Sequence, residues 1–90
     1  MGGPHKHHDD VLKRLRRAAG HLEKVIAMIE EGQPCLDTSQ QLHAVHKALG
    51  NAKNLYVRDH IEHCMDPAAI GDLRKAQKVI EEIREISKYL

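Results

Sequence analysis

The chain has 90 residues, 30% of them charged, and a formal net charge of +1. That length predicts one domain with a modest core, and so balanced a charge does not by itself mark a nucleic-acid binder. No run is long and apolar enough to span a membrane, and the opening MGGPHKHHDD lacks the apolar stretch of a signal peptide. Two cysteines in such a chain predict a soluble, cytoplasmic protein with reduced thiols. Phe and Trp are absent, and an apolar content of Leu, Ile, Val and Ala suits helix packing.

Residues 1–8 are rich in Gly, Pro and His and are expected to form a flexible arm, with His5, His7 and His8 clustered in it. Residues 9–90 are expected to form a single domain. Asp9 and Asp10 suit the N-terminal end of a helix dipole. From there Leu15, Ala18, Leu22, Val25 and Ile29 recur at steps of three and four, which is the period of an amphipathic helix. Gly32 and Pro34 should end it.

A second helix is expected from about Cys35 to Met65, with Leu36, Leu42, Val45, Leu49, Ala52, Leu55 and Ile61 at helical spacing. At about 1.5 Å per residue it would measure roughly 45 Å. So long a helix in so short a chain implies pairing with a second chain. Pro67, with Asp66 as its cap, suits the start of a third helix. Ile70, Leu73, Ala76, Ile80, Ile83 and Ile86 or Leu90 would be its apolar stripe. The fold class is therefore all-α, a three-helix protomer with a long central helix.

The stretch HIEHC places His60 and Cys64 four residues apart, hence on one face of the second helix. Both are good ligands for late transition metals. The pair alone is weak evidence, since a buried Cys is most often an inert core residue. His63, His43 and His46 read as surface or interface positions, and His21 as a packed residue. Cys35 lies 25 residues before His60, roughly 37 Å along a continuous helix. It cannot reach the pair in its own chain. An antiparallel dimer of the long helix would bring a partner's cysteine 35 beside His60 and Cys64, giving two bridging sites by two-fold symmetry.

The stretches RLRRAAGHLEKVIAMIEEGQPC, QQLHAVHKAL and DHIEHC, with the Cys-x24-His-x3-Cys spacing, resemble the CsoR/RcnR family of small transcriptional repressors. The resemblance runs from about Asp10 to Tyr89. It implies a dimer built on the second helix, a tetramer (a dimer of dimers) as the DNA-binding unit, and no helix-turn-helix. It implies copper(I) ligands Cys35 from one subunit and His60 and Cys64 from the other. A glutamate of the third helix, Glu82 rather than Glu81, would be the outer partner of His60. The implied mechanism is derepression of an efflux or resistance gene. The metal-free tetramer holds operator DNA, and metal binds the released state more tightly.

DNA contacts would come from Lys13, Arg14, Arg16 and Arg17 on the first helix, with Lys53 adding to them. Such a charge run is more often simply a solvated face, but a tetramer would repeat it four times. The chain departs from the family pattern at Pro34, where copper sensors carry Tyr, and at Asn51 and Asn54, where members are basic. Nickel and cobalt sensors of the family add a ligand ahead of the first helix, and His5, His7 or His8 could serve. Nickel(II) or cobalt(II) therefore stands as an alternative to copper(I), which the three-ligand spacing favours. A formaldehyde or persulfide sensor acting through Cys35 is a further alternative. Pro4 is not the terminal residue and His60 is not a second thiol, which count against it. A metal-storage protein without DNA binding remains as well. Nothing in the sequence suggests an enzyme.

Overall fold

The computed structural model describes residues 8–65 and 71–90. The described residues form three α-helices, α1 (His8–Glu30), α2 (Cys35–Cys64) and α3 (Leu73–Ile86), followed by a single 3-10 turn at Ser87–Tyr89. No strand occurs among them. No described helix is long and apolar enough to cross a membrane.

The helix α1 begins one residue before the aspartates, which occupy its first turn. It ends as its sequence demands. Gly32 has φ of +70°, a left-handed conformation that glycine takes without steric cost. The Gln33 amide donates to the Met28 carbonyl at 2.9 Å and the Gly32 amide to that of Ile29 at 3.1 Å. This is a Schellman closure. Pro34 then stands just ahead of α2, its carbonyl accepting from the Thr38 amide at 3.1 Å and the Thr38 hydroxyl at 3.2 Å.

The third helix differs from the expectation. Asp66 and Pro67 lie outside the described residues, as does Ile70. The described helix starts at Leu73, and its cap is Asp72, whose carboxylate accepts from the Lys75 amide at 2.9 Å. Gly71, just ahead of this cap, has φ of +53°. A side chain at that position would meet the Lys75 stem at 3.0 Å. A cap of this kind is worth about 1 kcal/mol.

The chain groups into two compact units. In Asp9–Ala52 the buried residues are Val11, Ala18 and Val25 on α1 and Val45 and Ala52 on α2, all at seven-residue steps within their helix. In the other unit, which takes in His8 and Lys53–Leu90, Val57, Cys64 and Asp59 are buried. The expected stripes are only half covered in the single chain. Ala18 and Val25 are buried, whereas Leu15, Leu22 and Ile29 are exposed. On α2, Val45 and Ala52 are buried but Leu42 and Leu49 are exposed, as is Leu36 at 69%.

Candidate metal centre

The last turns of α2 present His60 and Cys64 on one face, and α3 brings Glu82 to them. Ligand atoms of these three residues all lie within 4.8 Å of one another. They are the only group of three or more such side chains found among the described residues. The His60 Nε2 lies 2.6 Å from Glu82 Oε1. An ionised carboxylate only accepts, so Nε2 carries the proton and donates. That places the lone pair of the ring on Nδ1.

Burial differs across the group. Cys64 is 4% exposed, His60 is intermediate and Glu82 is open to solvent. Burial pushes the Cys64 thiol above its ordinary range, and the negative charge of Glu82 adds to the effect. The thiol is therefore protonated at neutral pH, and a cation taken up here must displace that proton. Thiol and imidazole are donors that suit copper, zinc or nickel, while the carboxylate oxygen is harder.

The other candidates are placed as follows. Cys35 is the first residue of α2, exposed, and outside the group. Glu81, the neighbour of Glu82, is exposed and outside it too. His5 and His7 lie outside the described residues. His8 is the first residue of α1. Its ring stacks on Tyr56, centroids 5.3 Å apart and planes at 14°, and its Nε2 is 3.9 Å from Asp59 Oδ2.

Lys13, Arg14, Arg16 and Arg17 are all exposed on α1, and Lys53 is exposed on α2. Arg14 pairs with Asp10 at 3.3 Å, an exposed contact that contributes little to stability. Within Asp9–Ala52, Arg14, Arg17, Ala18, His21, Ala48 and Asn51 line a half-open recess of about 190 Å³. His21 lies on its wall, its Nε2 held 2.6 Å from the Gln41 side-chain oxygen. Two guanidinium groups beside a histidine make this a place where an anion is favoured.

Sequence reasoning missed Asp59 and the His8–Tyr56 stack. Asp59 is 3% exposed. A signal was present, because it falls seven residues after Ala52 and fourteen after Val45, on the stripe those two define. His21 and Gln41 joining α1 to α2 had no signal beyond the polarity of both residues.

The family described as metal-sensitive transcriptional repressors matches this chain over residues 7–90. Among curated relatives, the copper-sensing transcriptional repressor CsoR of Mycobacterium ulcerans is 33% identical over 78 residues, which is 87% of this chain and 65% of the relative. The copper-sensing transcriptional repressor RicR of Mycobacterium tuberculosis is 33% identical over 82 residues, covering 83% of this chain and 85% of the relative. The copper-sensing transcriptional repressor CsoR of Bacillus subtilis is 30% identical over 84 residues, covering 92% and 80%. The chain thus spans about two thirds or less of the mycobacterial CsoR proteins it matches, at 64 to 65%. No solved structure matches it significantly.

Proposed function

Because the chain belongs to the metal-sensitive transcriptional repressor family, we propose that it represses transcription by holding operator DNA when metal-free and lets go on taking up copper(I). The copper site joins two subunits, Cys35 from one and His60 and Cys64 from the other. The observation that carries this reading is the His60–Cys64–Glu82 group at one end of α2, with the second cysteine of the chain at the first residue of the same helix. Two thiolates and an imidazole are the soft trigonal set that copper(I) accepts.

Each residue then has a task. Glu82 fixes the ring of His60 by accepting from Nε2, which keeps Nδ1 as the ligating nitrogen. Cys64 gives up the proton that burial and Glu82 hold on it. Cys35 arrives from the partner, so metal uptake depends on how two copies of α2 lie together. A ligand shifts such an equilibrium only by its differential affinity for the two arrangements. His8 engages Tyr56 and Asp59 rather than the group, which favours copper(I) over a nickel or cobalt set with an added histidine.

The exposed Leu36, Leu42 and Leu49 of α2 suit an antiparallel α2 pair, and the uncovered edges of α1 and α3 suit a dimer of such dimers. DNA is met by Lys13, Arg14, Arg16 and Arg17, with Lys53 adding charge, and the protein acts in the cytoplasm where its operator lies. The test is fluorescence anisotropy with a labelled duplex that the metal-free protein selects from a random pool. Copper(I) should lower the affinity of the wild type. Arg14→Gln with Arg17→Gln should weaken binding at every sequence and flatten its dependence on salt by roughly 0.9 in log–log slope per lost phosphate contact. Unchanged affinity in that variant removes the α1 surface from the account, and copper-insensitive binding by the wild type removes the sensor.

A further inference from the structure

The same three residues offer a second way to hold a metal, one that needs no partner. We propose that His60, Cys64 and Glu82 of a single subunit bind a divalent ion of the zinc(II) or cobalt(II) class, with Glu82 as a direct ligand and Cys35 uninvolved. This rests on the reading of the site as a metal centre.

The geometry supports it. A tetrahedral ion with bonds of about 2.0 Å to nitrogen and oxygen and about 2.3 Å to sulfur holds those atoms roughly 3.3 to 3.6 Å apart. The three side chains already sit within 4.8 Å of one another, with the His60–Glu82 pair at 2.6 Å. For the ion to bind through Nε2, the ring proton moves to Nδ1 and the Cys64 proton passes to solvent, and the His60–Glu82 pair opens by under about 1 Å. Glu82 is exposed, so its side chain is free of close packing and can move by that much. Water supplies the fourth position, as at other three-ligand zinc sites.

Chemistry separates the two modes. A carboxylate oxygen is a poor partner for copper(I), which is why copper needs the second thiolate from Cys35. A dication is served by the carboxylate, and the charges of one thiolate and one carboxylate balance it. Occupancy of this kind ties α2 to α3 of one subunit and leaves the contact between subunits out of the coordination sphere.

Cobalt(II) is the probe, titrated anaerobically into the full-length protein. Cys35→Ala should still bind one cobalt per chain, with tetrahedral visible bands and the charge-transfer intensity of a single thiolate. Its proton NMR spectrum should show the Glu82 methylene protons shifted by the paramagnetic ion. Glu82→Gln keeps an acceptor for His60, so in protein retaining Cys35 it should weaken cobalt more than about tenfold and copper(I) much less. An outer-shell role alone would change both metals by a similar factor, within the 10 to 100-fold typical of such partners. Equal shifts, or no cobalt bound to Cys35→Ala, overturn the proposal. Copper(I) affinity separates the two readings. If Cys35→Ala loses copper and cobalt alike, the shared site stands and the second mode falls. If it keeps copper undiminished, the shared site falls while the cobalt spectra still decide the second mode.

Discussion

At the scale of single residues, Cys64 is the pivot. It is both the most buried member of the metal group and the one whose proton must leave. Its raised thiol pKa has two consequences. The folded chain keeps Cys64 neutral to a higher pH than an unfolded chain would. The stability this brings is fully present below the ordinary thiol range of about 8.5 and is lost as pH rises through the folded value. Metal uptake runs the other way: at neutral pH the ion displaces a proton, so affinity rises with pH. Calorimetry in buffers of differing ionisation enthalpy should count a proton from Cys64 on copper(I) binding at neutral pH, and Cys64→Ser should lower the count. A count unchanged by that substitution means the thiol is not a ligand. His60 and Cys64 were legible in the sequence because a four-residue spacing on a helix puts two side chains on one face whatever else the fold does. The choice of Glu82 over Glu81 was a matter of family pattern. Its contact with His60 depends on the register of α3, and that register is set by where Gly71 and Asp72 start the helix.

At the scale of elements, periodicity located all three helices, because a step of three and four leaves few alternatives for so long. It could not say which edge of each apolar stripe the chain covers by itself. The Val45–Ala52 edge of α2 is buried while the Leu42–Leu49 edge, roughly 40 to 60° round the same helix, is exposed. Both edges look alike in sequence, since the difference comes from what packs against them. Asp59 falls on the seven-residue step of Val45 and Ala52, but its polarity masks that signal on a stripe that elsewhere carries Val and Ala. Asp66 and Pro67, good starting residues, lie outside the described residues, and the left-handed Gly71 just ahead of the Asp72 cap is a tertiary choice that the apolar period does not register. If the exposed edge of α2 is the subunit contact, Leu49→Glu should leave the helical signal intact in circular dichroism and shift the protein to monomers in sedimentation velocity. Retention of the wild-type oligomer would move the contact to another face. A charge buried in such a contact is costly enough to decide the matter.

At the scale of the whole molecule, one chain cannot complete the proposed copper site, because its two cysteines occupy the first and last residues of α2. The sequence made this readable through the arithmetic of helical rise alone. How many copies assemble, and which faces they use, depends on surfaces that a single chain leaves open. The central claim is that one copper(I) ion is held by residues of two subunits. The most direct test co-expresses Cys35→Ser and Cys64→Ser chains and titrates the mixture with copper(I) against a competing chelator. Neither variant alone should bind tightly. Random pairing makes about half of the dimers mixed, and each mixed dimer has one intact site, so the mixture should gain roughly one tight site per four chains. A mixture that binds no better than the sum of its parts would contradict a site shared between subunits.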